Sequence, residues 1–291
     1  MRPWVGHITS AGPDFPLRLA WNLEPLVVVP VVVAAVLYAT GWRTASRRMP
    51  ARFGDRHLVA TLAGLAAIVL ALVSPLDALS ARYLQAHMIQ HLLLMVVAPP
   101  LLWMGAPVAP LLLGLPKPIR RTATRALTLS PVRRLSHVLA DPMVSWVAFV
   151  VAFWVWHVPA LYQLALRSDG WHHVEHACFF VTASLFWRPV VLPWPARLAW
   201  PRWAMIPYLA LADLQNSVLA AILTFSDHLI YPAYAALRPM SGLSPLEDQA
   251  IAGVIMWVPG SLAFLLPVLW LVATTLTAPE AFPRRDAPRH G

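Results

Sequence analysis

Residues 87–107 read HMIQHLLLMVVAPPLLWMGAP, a long apolar stretch that begins with two histidines four residues apart. An α-helix needs about 20 predominantly apolar residues to cross the hydrocarbon core of a bilayer. The stretch therefore predicts a transmembrane helix, although His87, Gln90 and His91 stand near its beginning. Polar side chains within a membrane must face protein or water, so we expect this helix to pack inside a bundle.

The composition of the 291 residues excludes a soluble globular protein. Hydrophobic residues make up 59% of the chain and charged residues only 12%, too few to cover a solvated surface. The net charge of +9 comes largely from arginines in short segments between apolar runs. We attribute it to membrane topology and expect no nucleic-acid partner. The single cysteine, Cys178, excludes an intramolecular disulfide and a cysteine-cluster metal site.

Apolar windows of spanning length can be placed about seven times in the sequence. The predicted spans are residues 23–42, 57–75, 83–105, 143–166, 171–191, 203–225 and 249–273. No linker or internal repeat divides them. The predicted fold is an all-α integral membrane protein with one transmembrane domain over residues 23–275, preceded by segment 1–22 and followed by tail 276–291.

The basic residues predict the orientation of this bundle. Most of the 22 lysines and arginines follow the first, third and fifth spans or lie in the tail. Those left for the other side are Arg2, Arg18, Arg82, Arg167 and Arg238. By the positive-inside rule, segment 1–22 is predicted outside and tail 276–291 in the cytoplasm. We predict no removable signal peptide, since no short apolar region precedes a small-residue cleavage site.

This topology gathers six histidines in the outer half of the membrane or at its rim. They are His87, His91, His157, His172, His173 and His176. Helical spacing places polar side chains and a thioether on common faces of four predicted spans. These groups are His87, Gln90, His91 and Met95; His172, Glu175 and His176; Asp213 and Asn216; and Asp248 with Met256. We expect these faces to meet in a polar interior.

Metal binding is the chemistry that this set of residues favours. Two imidazoles at positions i and i+4 can reach one ion, and nitrogen ligands suit copper or zinc. The candidate ligands are His87, His91, His157, His172 and His176. Thioether sulfur from Met95 or Met256 would favour Cu(I), and Glu175 or Asp248 would orient a ligating imidazole. Gln90, Asp213 and Asn216 complete the candidate supporting groups.

Structural roles explain several of these residues equally well. His172 and His173 have the positions of interfacial hydrogen-bonding residues, and His157 precedes a proline whose missing N–H leaves a carbonyl to be capped. Glu175 with His176 suits a structural hydrogen-bonded pair, and Asp213 with Asn216 suits polar packing between helices.

Other functional classes also fit the sequence. Two histidines from different helices, such as His91 with His157 or His176, would ligate a haem for electron transfer. A path along Asp213, Asn216 and Asp248 would suit an ion or proton transporter. A hydrolase using a metal-activated water needs only histidine and glutamate ligands.

Several blocks of the chain resemble the multi-span CtaG family of cytochrome c oxidase assembly factors, associated with caa-type oxidases. The first is the stretch at residues 87–107. The others are WHVPALY at 156–162, EHACFFVTASLFWRP at 175–189, TFSDHLIYPAYA at 224–235 and DQAIAGVIMWVPGS at 248–261. They occur in order over nearly the whole chain.

The resemblance implies a role in maturing a haem-copper oxidase, in which the protein supplies copper from the outer side. It implies oxidase subunits as partners, no enzymatic activity of its own, and a multi-pass location in a bacterial cytoplasmic membrane. The family blocks contain the positions His87, His91, His157, Glu175, His176 and Asp248.

Overall fold

The computed structural model describes residues 20–195, 200–236 and 242–277. Every regular element in these ranges is helical, so the predicted all-α fold is confirmed. Most of the predicted segment 1–22 and of the predicted tail 276–291 lies outside the described residues, as do Arg2, Arg18 and Arg238.

Thirteen helical segments follow one another along the described chain, with short 3₁₀ turns at Arg202–Ala204 and Pro232–Ala236. They are α1 (Pro25–Arg48), α2 (Asp55–Leu72), α3 (Pro75–Ser80), α4 (Leu84–Leu92), α5 (Ala98–Met104), α6 (Val108–Gly114), α7 (Lys117–Thr128), α8 (Ser130–Leu139), α9 (Pro142–His157), α10 (Pro159–Arg167), α11 (Asp169–Val191), α12 (Met205–Phe225) and α13 (Pro245–Leu276). A π-helical turn, Leu93–Val97, joins α4 to α5.

Five segments of the described chain are long and apolar enough to cross a bilayer. They are α1, α2, the run Leu84–Met104, the run Arg202–Phe225, and α13. Helices α8 and α9 make a sixth only if they count as one span despite a bend of 68°. The predicted count of seven is not reached among the described residues, because α11, at the fifth predicted span, has 23 residues but is not among the segments that are apolar enough. The membrane bundle is confirmed, and its orientation stays a prediction.

Proline interrupts the continuous span that was predicted at residues 143–166. Helix α9 ends at His157 and α10 begins at Pro159. Pro159 has no N–H and disfavours a helical conformation at the residue before it, so Val158 is extended (φ −62°, ψ 126°). The break frees the carbonyl of His157, which accepts a hydrogen bond of 2.9 Å from the Tyr231 hydroxyl.

The lipid-facing surface and the helix contacts follow membrane rules. Valines 29, 32, 33 and 36 of α1 are exposed, as expected of a helix that faces lipid. The opposite face of α1 packs on α6 through two glycines. A Cβ on Gly41 would overlap the Pro110 carbonyl, and a Cβ on Gly114 would overlap the Leu37 carbonyl. Small residues let two helix backbones approach closely where no hydrophobic effect drives their association.

Replacing Gly41 by alanine is expected to weaken this contact. The added methyl group meets a backbone carbonyl that cannot move without shifting α6, which costs on the order of 1–3 kcal/mol. Thermal unfolding of the purified protein in mild detergent measures the change. Gly54→Ser is the matched control, because nothing lies within 4 Å of a Cβ at that position. An unchanged midpoint for Gly41→Ala would contradict the close packing of α1 on α6.

Candidate metal centre

Two helices supply the side chains of the candidate centre. Helix α4 presents His87 and His91, and α11 presents His172, Glu175 and His176. Each set spans one helical turn, so its members lie on one face. All five side chains are buried, and Glu175 and His87 are fully enclosed. The structure thus brings together residues 81 or more positions apart that the sequence predicted to share one layer.

Four of these residues have the spacing of a metal site. His87, His172, Glu175 and His176 each offer one ligand atom, and these atoms lie within 4.8 Å of one another. The carboxylate of Glu175 lies between the two histidines of α4: Oε2 is 3.8 Å from His87 Nε2, and Oε1 is 3.8 Å from His91 Nε2. These distances exceed a hydrogen bond, leaving room for an ion between the groups.

Buried polar atoms of Glu175, His91 and His176 lack hydrogen-bond partners within the described chain. Both carboxylate oxygens of Glu175, both ring nitrogens of His91 and Nε2 of His176 are enclosed without a hydrogen bond. Buried polar groups are normally satisfied, because leaving one unpaired in an apolar interior is costly. The donor set and its unmet bonding capacity fit a cation held by imidazole and carboxylate.

His157 approaches the same group from α9. Its Nδ1 lies 2.6 Å from the carbonyl oxygen of Phe153, and since a carbonyl only accepts, Nδ1 carries the proton. Nε2 therefore has a free lone pair, and it is buried without a hydrogen-bond partner in the described ranges. The rings of His157 and His91 are 6.1 Å apart. A backbone carbonyl that fixes the tautomer in this way is typical of metal-ligating histidines. His157 does not cap a carbonyl freed by the following proline.

Two predicted supporting residues, Gln90 and Asp248, bond to neighbouring helices. Gln90 donates to the Ala71 carbonyl (2.7 Å) and to Asp77 Oδ1 (2.8 Å), which ties α4 to α2 and α3. The Asp248 carboxylate of α13 accepts the N–H groups of Leu84 (2.6 Å) and Gln85 (3.3 Å). It thereby caps the N-terminus of the helix that carries His87 and His91.

Asn216 of α12 lines a small cavity that also contacts His91 and His157, and Asp213 is not among the residues that line it. Asn216 Nδ2 donates to the Met256 carbonyl at 3.1 Å and joins α12 to α13. Asp213 Oδ1 is buried, and no hydrogen bond links it to any described residue. The thioethers of Met95 and Met256 line the same cavity.

Three tyrosines that were not predicted as site residues from the sequence lie around the cluster. The ring of Tyr162 lies 5.1 Å from that of His87 and stacks on Tyr231 at 4.1 Å. The Tyr162 and Tyr234 hydroxyls are 3.2 Å apart, and Tyr234 donates to the Ser80 carbonyl. All three lie in the blocks WHVPALY and TFSDHLIYPAYA, so position within these blocks was the signal that marked them.

A cavity of about 790 Å³ adjoins the cluster on the side of α1 and α11. His172 and His176 line it, together with the carboxylates of Glu24, Asp77 and Asp169. Burial raises the pKa of the Asp77 carboxyl, and hydrogen bonds from Asn22 and Gln90 oppose that shift.

The remaining outer histidines differ in position. His173 Nε2 lies 3.0 Å from Glu24 Oε2, and both side chains are 33% exposed, so this pair forms the rim of the cavity. His228 is 78% exposed beside Asp227 and lies on the surface.

A bundle of apolar helices around a buried imidazole and carboxylate cluster defines a multi-pass membrane protein with a candidate metal centre. The chain belongs to the family described as cytochrome c oxidase caa3 assembly factor (Caa3_CtaG), whose model matches residues 36–278. The match covers all the clustered residues, and it confirms the resemblance seen in the sequence blocks. The family indicates an assembly factor for cytochrome c oxidase.

Curated relatives extend beyond the length of this chain. Uncharacterized proteins of Mycobacterium bovis and Mycobacterium tuberculosis are each 28% identical over 281 residues, covering 92% of this chain and 40% of theirs. An uncharacterized protein of Mycobacterium leprae is 24% identical over 271 residues, covering 87% of this chain and 39% of its own. The chain thus spans about 40% of the length of these relatives. No solved structure matches it.

Truncating the cap on α4 is expected to destabilise the protein. Asp248→Ala leaves the N–H groups of Leu84 and Gln85 unpaired, and losing a cap of this kind costs about 1–2 kcal/mol. Asp248→Asn keeps an accepting oxygen and should retain part of that stability. Thermal unfolding measures both, and metal analysis of Asp248→Asn separates capping from ligation. Loss of bound metal in a stable Asp248→Asn protein would contradict the capping role.

Proposed function

We propose that this assembly factor binds copper in the buried cluster and supplies it from the outer side to a haem-copper oxidase subunit. The observation that carries the proposal is the convergence of His87, His172, Glu175 and His176 within 4.8 Å in a buried site. The copper is the cargo of the protein.

The donor set favours copper and permits its release. Imidazole nitrogen suits copper and zinc, and the thioethers next to His91 and His157 shift the preference toward copper. Histidines that form a partly open set allow exchange of ligands with a recipient, whereas a closed cage would retain the ion. Delivery then proceeds by replacement of one imidazole at a time with a ligand from the oxidase subunit.

The placement of the cluster supports loading from the outer side. His87 lies in the first turn of α4 and His172 in the first turn of α11, so both helices carry the cluster near their N-terminal ends. Under the predicted orientation these ends face outward. The site is therefore shielded from bulk water but close to the outer surface.

The large cavity provides a route to this site. Its lining combines the carboxylates of Glu24, Asp77 and Asp169 with the inner histidines His172 and His176. Carboxylates in a confined cleft raise the local concentration of cations and speed their association. We infer that copper passes the Glu24–His173 rim and reaches the cluster along the face of α11 that carries His172 and His176.

The double variant His87→Ala/His91→Ala tests the cluster. It removes both imidazoles of α4, so the purified protein is expected to lose most of its copper, and oxidase activity in the membrane should fall with oxidase copper content. Metal analysis and an oxygen-consumption assay measure the two effects. His228→Ala is the control, because that histidine is exposed on the surface. Normal copper in the oxidase of the double variant would refute delivery by this protein.

Glu24→Gln tests the route. Removing the negative charge at the rim should slow copper uptake by metal-depleted protein from a few-fold to about tenfold, with the same final copper content. A time course of uptake in detergent measures the rate. Glu247→Gln is the matched control, because Glu247 is exposed and its role in capping α13 tolerates glutamine. Equal uptake rates for Glu24→Gln and wild type would exclude the route.

Haem ligation is less well supported by the cavities. The space beside His91 and His157 is about 20 Å³, enough for an ion or one water but far too small for a porphyrin. Among the described residues, the three histidines that line the larger cavity all come from α11, so none of them is placed to ligate the opposite face of a haem from a second helix. An absorption spectrum of the purified protein separates the two functions, because bound haem has an intense Soret band.

A further inference from the structure

A second, smaller cavity lies against the inner side of the histidine cluster. Its volume is about 20 Å³, enough for one ion or one water molecule. Its lining includes His91, His157, Met88, Met95 and Met256, with phenylalanines closing it off. The first cluster offers imidazole and a carboxylate, whereas this cavity offers imidazole and thioether beside the amides of Gln215 and Asn216.

The nitrogen donors of this cavity have unmet bonding capacity. His157 presents a lone pair on Nε2, because its Nδ1 proton is committed to the Phe153 carbonyl. That Nε2 and both ring nitrogens of His91 are buried without a hydrogen bond to the described residues. Small cavities in an apolar core are normally lined by groups that need no partner, so two imidazoles beside this one point to a ligand.

The backbone at Met95 has an unusual form that the sequence explains. Met95 lies in the π-helical turn, and its carbonyl would pair with the N–H of residue 99 in an α-helix or of residue 100 in a π-helix. Both positions are proline, which has no N–H. The indole of Trp187 donates to this carbonyl at 2.8 Å instead. Single π-helical turns within α-helices occur frequently at functional sites.

The backbone at Met256 is also fixed from a neighbouring helix. Asn216 Nδ2 donates to the Met256 carbonyl at 3.1 Å. One turn further along α13, Gly260 makes room for this amide, since a Cβ there would lie 3.0 Å from Asn216 Nδ2. Each methionine is thus held through its backbone carbonyl, by a bond that does not use the thioether.

We propose that this cavity is a second metal site, selective for soft monovalent ions such as Cu(I), in which His91, His157, Met95 and Met256 are the ligands. The proposal rests on the copper-binding function above. Thioether sulfur prefers Cu(I) over Zn(II). The carboxylate of Glu175 in the first site has no such preference for a soft ion. The first site therefore binds copper without excluding Zn(II), and the second site binds Cu(I) in preference to Zn(II).

His91 connects the two sites. Its ring lies 4.3 Å from that of His87, 5.5 Å from that of His176 and 6.1 Å from that of His157. Cu(I) would move inward as its bonds to His87, His172, Glu175 and His176 break and bonds to His157 Nε2 and the thioether sulfurs form, with His91 bound throughout. The ion stays Cu(I), so no electron is transferred.

Metal stoichiometry tests this assignment. Wild-type protein in detergent, titrated under reducing conditions with Cu(I) against a chromophoric chelator, is expected to bind two ions per chain. Met95→Leu/Met256→Leu should bind one and lose sulfur scattering from the copper X-ray absorption spectrum. Met104→Leu is the matched control, because Met104 follows in the same run of helix and is 56% exposed. Leucine preserves side-chain volume, and thermal unfolding verifies that the variants are folded.

The outcomes separate the second site from the first. Two Cu(I) ions in Met95→Leu/Met256→Leu, bound as in wild type, would overturn the second site. A single ion in both proteins that is lost in His87→Ala/His172→Ala would reject the second site while leaving the proposed function intact. No copper in wild-type protein would remove both. Two ions in wild type and one in the methionine variant, with Zn(II) binding unchanged between them, would establish the second site.

Discussion

The requirement that polar groups inside a membrane find a partner governs this structure. Backbone groups that proline or a helix end leaves unpaired are satisfied by side chains from other helices. Trp187 bonds to the Met95 carbonyl, Tyr231 to the His157 carbonyl and Asp248 to the N–H of Leu84. Each such bond also fixes one helix against another, because in lipid the alternative is an unsatisfied group.

Against this background, the unsatisfied atoms at the centre stand out. Glu175, His91, His157 and His176 all have buried oxygen or nitrogen atoms without a hydrogen bond in the described chain. Around them lies a shell of tyrosine hydroxyls whose own bonds are made. The same region groups imidazole and carboxylate side chains that could hold a cation. The chain's family membership indicates a cytochrome c oxidase assembly factor.

The two cavities next to the centre differ in the side chains that line them. The large one has the partly exposed groups Glu24 and His173 at its rim and is also lined by imidazoles of α11. The small one is closed by aromatic rings and lined by thioethers. Donor chemistry therefore changes from carboxylate through imidazole to sulfur across one short distance, and His91 contacts the imidazoles on both sides.

The sequence predicts the position of a site residue where helical periodicity fixes it, and does not predict it where packing against another helix fixes it. Spacing of three and four placed His87 with His91 and His172 with His176, since helix geometry alone fixes which side chains share a face. Spacing also assigned Gln90 to the face of His87 and His91. It did not reveal that Gln90 bonds to Asp77, because that bond depends on how another helix packs against this one. Proline at 159 marked a kink but not the full break in the fourth span.

The sequence by itself determined that the chain is a helical membrane protein, because the length and apolarity of its segments leave no other way to satisfy the backbone in lipid. It also determined which histidines lie on common helical faces. Only the tertiary structure decided that Glu175 sits between His87 and His91, that Asp248 is a helix cap, and that His157 adjoins Met95 and Met256 across a cavity. Those relations depend on the rotation and depth of each helix against its neighbours, which periodicity along one segment does not specify.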